Sequence, residues 1–159
     1  MKLQNYIADE TRDKAEEVFR YAAAVPADKI EWSPGEGSRT VIDLCREMAK
    51  CPDWAFDLIA PNLPERSSED QVMAESRAEM AGWSTVEECR AACFEKLGRL
   101  IDMYREIPDE RLKETKWLPY NGGRDHTVLE MLDYPRWNFN YHCGQIAYIQ
   151  MLYGDKNMY

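Results

Sequence analysis

The stretch TVLEMLDYPRWNFNYHCGQIAYIQMLYG, from Thr127 to Gly154, is the clearest helix signal in the chain. Thr127 is followed three residues later by Glu130, and this pairing forms a capping box that predicts the start of a helix. Apolar residues then recur at helical spacing, and Gly154 is suited to end the helix. Pro135 lies inside this pattern and predicts an interruption. We therefore expect a long last helix over 128–152.

Three further segments have apolar residues on one face at helical spacing, which predicts helices over 3–25, 39–60 and 85–106. Ser38 or Thr40 would cap the second helix, and a capping box of Ser84 with Glu87 would open the third. Pro52 removes a backbone hydrogen bond, so we expect a kink or break in the second helix.

The charged stretch 67–81 has few apolar anchors, and it predicts one extra short surface helix within a long connection. No stretch alternates for long in the way that a strand does. Four long amphipathic helices joined by long connections predict an all-α fold, a four-helix bundle. Because the chain has no repeat or flexible linker, we expect a single domain over 1–159.

The composition limits the classes of partner. The chain has 159 residues, and 20 Lys and Arg against 29 Asp and Glu give a net charge of −9. An acidic surface repels phosphate groups, so we expect neither nucleic acid nor a membrane as a partner. The longest apolar run is 21–25 and the N-terminus does not resemble a signal peptide, which indicates a cytoplasmic protein.

The five cysteines form no regular disulfide framework, which is typical of a reducing compartment. Cys89 and Cys93 are four residues apart on a predicted helix and therefore share a face. Two interpretations are open: the thiols are small buried apolar side chains, or they bind one metal ion.

Polar residues interleaved with the apolar stripes are the candidates for a functional site. Asn138, His142 and Gln145 follow one another on one face of the last helix, and Asp43 and Glu47 do so on the second helix. A carboxylate facing an imidazole in a bundle is typical either of a metal site or of a buried Glu–His ion pair.

Three aromatic residues could line a pocket between the second and last helices, or simply fill the core of the bundle: Trp54, Trp137 and Tyr141.

Several motifs resemble those of the DinB-like superfamily of the YfiT type, to which the bacillithiol and mycothiol S-transferases belong. The similarity covers roughly residues 1 to 154, and its most specific part is the last-helix signature. The motifs are Trp32-Ser33-Pro34, Ser38-Arg39-Thr40-Val41, His142-Cys143-Gly144-Gln145-Ile146 and Leu152-Tyr153-Gly154. The resemblance implies a four-helix bundle, often dimeric, in which many members hold a divalent metal with three histidines.

Only one of the three family histidines is present in this chain. His142 matches the second histidine of the last helix, Asn138 takes the place of the first, and Glu47 takes the place of the histidine on the second helix. The resemblance therefore implies that one zinc, nickel or manganese ion would be held by Glu47 and His142. Asn138 would be a weak third ligand, because a neutral amide binds transition metals poorly.

Two functional interpretations follow from the resemblance. The first is a metal-dependent thiol transferase or isomerase, which joins a small-molecule thiol to an electrophile or rearranges such a substrate. The alternative is a non-catalytic, stress-associated binding protein or a structural dimer that has lost the metal triad. In either case the resemblance and the high aromatic content predict a homodimer.

Overall fold

The computed structural model describes residues 2–60, 69–119 and 122–159. Five helices and a two-stranded ribbon follow one another along this part of the chain: α1 (Leu3–Ala23), α2 (Val41–Ile59), α3 (Glu69–Ala81), α4 (Val86–Glu106), β1 (Thr115–Leu118), β2 (Arg124–Thr127) and α5 (Val128–Leu152). Short 3₁₀ turns lie at Ala27–Lys29 and Asp109–Lys113. The prediction of an all-α bundle with one additional helix is confirmed, although residues 67–68 of the predicted surface helix lie outside the described residues.

The four long helices bury one continuous apolar cluster. α1 packs on α4 and α5, and α2 packs between α4 and α5, so α2 and α5 share a long interface. The buried side chains of this cluster include Phe19, Leu44, Met48, Tyr104 and Phe139. None of the helices in the described part of the chain has the length and apolar character needed to cross a membrane.

Three of the four bundle helices, α2, α4 and α5, begin at a capping box. Thr40, one of the two caps predicted for α2, and Thr127, the cap predicted for α5, accept hydrogen bonds from the backbone amides three residues later. The prediction for α4 is wrong by one residue, because Thr85 rather than Ser84 is the cap and Glu88 completes the box.

Neither proline breaks its helix. Pro52 lies within the continuous helix α2, and Pro135 lies within α5, so the predicted interruptions do not divide these helices. Both prolines are buried, and each has buried core residues on either side of it along the helix: Cys51 and Ala55 around Pro52, and Leu132 and Phe139 around Pro135. Packing on both sides therefore holds each helix together despite one missing backbone hydrogen bond.

The ribbon was not expected from the sequence. β1 and β2 pair in antiparallel register, from Thr115 opposite Thr127 to Leu118 opposite Arg124. Only Leu118 among these eight residues is buried, so the alternation that signals a strand is missing. Gly123 has a φ of 78°, and a Cβ atom there would lie 2.8 Å from the Trp117 ring, so this position requires glycine.

Candidate functional site

Helices α2 and α5 bring three polar side chains together inside their shared interface. Glu47 lies near the middle of α2, and Asn138 and His142 are one turn apart on α5. Glu47 Oε1 is 2.9 Å from His142 Nε2, and Asn138 Nδ2 is 3.2 Å from Glu47 Oε1 and 3.3 Å from His142 Nε2. We call these three residues the Glu47–Asn138–His142 triangle.

A fourth residue fixes the orientation of the imidazole. His142 Nδ1 lies 2.6 Å from Gln145 Oε1, one turn further along α5. Because the amide oxygen of Gln145 can only accept a hydrogen bond, Nδ1 carries the hydrogen. Nε2 is therefore the ring nitrogen that His142 presents to Glu47 and Asn138, and it carries either a proton or a free lone pair.

The carboxylate of Glu47 is surrounded by donors. Arg39 Nη1 pairs with Glu47 Oε2, while His142 and Asn138 both lie at Oε1. The hydrogen bond from His142, together with the nearby charge of Arg39, lowers the pKa of Glu47 to about 2, although burial acts in the opposite direction. Glu47 therefore carries a full negative charge at neutral pH.

The triangle is buried on the α5 side and open on the α2 side. Asn138 and His142 are only 3% and 2% exposed, whereas the Glu47 side chain is 26% exposed. Asn138 Oδ1 is buried and has no hydrogen-bond partner. A buried amide oxygen without a hydrogen-bond partner costs free energy. Asn138 Oδ1 is therefore an atom of the triangle that still needs a partner group.

Arg39 is the member of this cluster that the sequence analysis did not single out as a site residue. It precedes the cap of α2, and its Nη2 also donates to the backbone oxygen of Asp43 at 2.8 Å. Helical spacing in the sequence does not predict the contact between Arg39 and Glu47, because the two residues are eight positions apart and Arg39 lies outside the helix. Only the path of the chain into α2 brings the guanidinium over the carboxylate.

Asp43 and Trp54, two further candidates from the sequence, lie apart from the triangle. Asp43 belongs to the capping box of α2, where its carboxylate accepts from Thr40 and Arg46. Trp54 lines a separate cavity of about 460 Å³ between α2, α3 and α4.

Trp137 and Tyr141 are largely exposed rather than enclosed in a pocket. Their rings stack on each other at a centroid distance of 5.3 Å, and the Tyr141 ring meets the His142 ring edge-on at 5.4 Å. The two aromatic side chains therefore lie beside the triangle, on the outer surface of α5.

The cysteines form no cluster of metal ligands in the described part of the chain. Four of the five are fully buried, and burial raises the pKa of Cys89 to about 11 and that of Cys93 still further. Such thiols stay protonated at neutral pH and are poor ligands. Within the described ranges no three His, Cys, Asp or Glu side chains gather as a metal-binding group.

Comparison with known proteins identifies the fold. No family model matches the chain, and no curated protein matches it significantly in sequence. The chain is similar in structure to YfiT from Bacillus subtilis, described as a probable metal-dependent hydrolase with an unusual four-helix bundle topology. That likeness has a TM-score of 0.72 at 13% identity and covers 97% of this chain and 90% of that chain.

A conserved protein from Enterococcus faecalis gives a TM-score of 0.60 at 14% identity, covering 96% of this chain and 97% of that one. Sequence identities this low establish the fold alone. The chain thus shares the four-helix bundle fold of YfiT, as the family resemblance implied.

Proposed function

We propose that the Glu47–Asn138–His142 triangle binds one divalent metal ion, and that the protein is a metal-dependent enzyme of the thiol S-transferase kind. The observation that carries this proposal is the convergence of three donor groups within 3.3 Å of one another, beside the partnerless Oδ1 of Asn138. Ligands on one metal ion lie about 3 Å apart, because each is about 2 Å from the ion.

The donor set suits a borderline metal. Glu47 is an ionised carboxylate, and His142 can offer the Nε2 lone pair because Gln145 accepts from Nδ1–H. A partner of this kind on the second ring nitrogen is typical of metal-bound histidine. The amide of Asn138 would be the weak third ligand, with its oxygen turned towards the other two donors. Zinc, nickel and manganese all accept imidazole with carboxylate.

A divalent ion bound there would lower the pKa of a thiol or a water molecule and so supply a nucleophile at neutral pH. Glu47 and His142 would anchor the ion, and Gln145 would keep the imidazole in the required tautomer. Arg39 would hold the second oxygen of Glu47, which leaves Oε1 for the ion. The exposed side of Glu47 is the direction from which a small-molecule thiol or electrophile would approach.

The same nucleophile activation serves related reactions. With water in place of the thiol the reaction is a hydrolysis, the class of activity suggested for YfiT, and rearrangement of a thiol adduct would be an isomerisation. A small-molecule thiol is abundant only under reducing conditions, so this function places the protein in the cytoplasm.

One feature favours a second candidate, a non-catalytic binding protein without metal. Arg39, Glu47 and His142 already form a chain of ion pairs in which both carboxylate oxygens have partners. If His142 Nε2 carries a proton, that chain is complete. A proton and a metal ion thus compete for His142 Nε2, and the proposed function requires that the metal ion displace the proton.

Calorimetric titration of the untagged protein with zinc, nickel and manganese tests the metal site. We expect wild type to bind one ion and to release protons, seen as a dependence of the heat on the buffer. Glu47→Gln should weaken binding, whereas Asn138→His, which restores the histidine pair, should tighten it by at least about tenfold. Glu95→Gln, at an exposed glutamate on α4, is the matched control.

Equal affinity in all four proteins, or no binding in any of them, would reject the metal site and leave the binding-protein interpretation. The thiol step has its own readout, the loss of free thiol when metal-loaded protein meets a thiol and an electrophile. Metal binding without metal-dependent thiol loss would reject the transferase and retain the site.

A further inference from the structure

The cavity between α2, α3 and α4 is separate from the triangle, and no residue that lines it in the described part of the chain belongs to the triangle. Its volume of about 460 Å³ falls within the range of small-molecule sites, about 300–1,000 Å³. The wall combines apolar side chains of α2 with cations of α2 and α4: Pro52, Trp54 and Phe56 are apolar, and Lys50, Lys96 and Arg99 are cationic.

Two lysines with little exposure to solvent form the charged part of this wall. The side chains of Lys50 and Lys96 are only 14% and 11% exposed. Both ammonium groups contact Asp53 Oδ2, at 2.9 and 3.0 Å, and Lys96 Nζ also lies 4.7 Å from the centre of the Trp83 ring. These contacts do not involve Glu79 of α3, so they hold the two cations in position independently of it.

Helix α3 completes the charge balance with one carboxylate. Glu79 Oε2 accepts a hydrogen bond from Lys50 Nζ, and Glu79 Oε1 accepts one from Lys96 Nζ, so this carboxylate bridges the two ammonium groups. The single charge of Asp53 cannot neutralise two lysines, and a charge that is withdrawn from water needs a partner. The space between the lysines therefore requires a second carboxylate, and here Glu79 supplies it.

The helix that carries Glu79 has few apolar anchors. Among its described side chains, from Met73 to Ala81, only Ser76 is buried, and the Glu79 side chain is itself 39% exposed. Burial of an apolar face is what chiefly holds a helix on a bundle. A carboxylate from a ligand can therefore replace that of Glu79 with little loss of packing, if α3 moves away.

The geometry and charge of the site select the class of ligand. The two oxygens of a carboxylate already bridge the lysines, so another carboxylate has the right shape. A monoanion in place of Glu79 leaves the charge of the site unchanged, whereas a phosphate dianion would add negative charge beside Asp57 and Glu75, which also line the cavity. The aromatic side chains of the wall favour a ligand with an apolar body.

We propose that this cavity binds a small monocarboxylate with an apolar body. The ligand's carboxylate takes the place of Glu79 between Lys50 and Lys96, its body lies against Trp54 and Phe56, and α3 is the lid that moves to admit it. Glu79 is then an internal competitor, which occupies the anion position when no ligand is bound. This site does not depend on metal binding at the triangle.

Calorimetric titration with 3-phenylpropionate tests the site, with the neutral 3-phenylpropionamide as the matched ligand. Wild type should bind the acid at least about tenfold more tightly than the amide. Lys96→Met should weaken binding of the acid by at least about tenfold, whereas Lys113→Met, at an exposed lysine outside the cavity, should not. Glu79→Gln should tighten binding at least about fivefold, because it removes the competing carboxylate. Glu95→Gln, at an exposed glutamate on α4, should leave the affinity unchanged.

Hydrogen exchange gives a second readout, since 3-phenylpropionate should speed the exchange of α3 amides in wild type instead of protecting them. Circular dichroism of each variant checks that the helices persist, and Glu79→Gln keeps the test decisive if Lys96→Met does not fold. Absence of binding in both wild type and Glu79→Gln would overturn the proposal, as would equal affinities for the acid and the amide. If Glu79→Gln binds no more tightly than wild type, or if the ligand slows exchange in α3, the ligand does not replace Glu79 and the proposal is wrong.

Discussion

Replacement of Glu47 by glutamine should reveal how strongly the charges of the triangle stabilise the fold. Glutamine keeps the shape of the side chain and removes its charge, which leaves His142 and Arg39 without their shared carboxylate. In the folded protein the pKa of Glu47 falls from 4.5 to about 2, chiefly through the hydrogen bond from His142. At about 1.4 kcal/mol for each pKa unit, that fall corresponds to about 3 kcal/mol of stability at neutral pH.

Solvent reduces this value, since the Glu47 side chain is 26% exposed and that of Arg39 is 41% exposed. We therefore expect Glu47→Gln to lower the free energy of unfolding by about 2 kcal/mol and the melting temperature by about 4–8 °C. The measurement is urea unfolding followed by circular dichroism at pH 7, with a chelator present so that no metal ion contributes.

The pH dependence gives an independent check. Because the pKa of Glu47 is lower in the folded state, its contribution is complete above the ordinary value of 4.5 and is lost as the pH falls towards about 2. The gap between wild type and Glu47→Gln should therefore close over that range. If Glu47→Gln lowers the free energy of unfolding at pH 7 no more than the exposed Glu95→Gln does, His142 and Arg39 do not stabilise the Glu47 carboxylate.

Two further predictions concern α3 and Gly144 of α5. Burial raises the pKa of Glu79, but hydrogen bonds from Lys50 and Lys96 outweigh this effect and leave the pKa below 4.5. Because these bonds tie α3 to α2 and α4, Glu79→Gln should speed amide hydrogen exchange in α3 severalfold without affecting α4. Acid below pH 4.5, which protonates Glu79, should speed exchange in α3 of the wild type in the same way. Gly144→Ala should raise the free energy of unfolding in urea by up to about 1 kcal/mol, because a Cβ atom there would meet no other atom within 4 Å; a loss of stability would contradict the open helix surface at this residue.

The helices could be predicted from the sequence because their signals are local. Apolar spacing and hydroxyl caps act within a few residues, and Thr40 and Thr127 cap their helices as expected. The cap of α4 was misplaced because two hydroxyls and two glutamates stand side by side in the sequence, and the pattern does not distinguish the two boxes. The ribbon was missed because its strands are short and its stability comes from pairing rather than from burial.

The site could be predicted only in part, because local spacing covers one helix at a time. The interval of four residues places Asn138 and His142 on one face, but it does not say which residue of α2 lies opposite. The family resemblance supplied Glu47, and the structure brings that carboxylate within 2.9 Å of the imidazole. Arg39 and the exposed positions of Trp137 and Tyr141 depend on how the helices pack, which no local pattern records.

The two helices contribute different chemistry to the triangle. From residue 137 onward α5 supplies only neutral or protonatable groups, so the fixed charges of the site come from Glu47 in α2 and from Arg39, which precedes it. A proton on His142 and a divalent ion at the same nitrogen are then two ways of balancing one buried carboxylate.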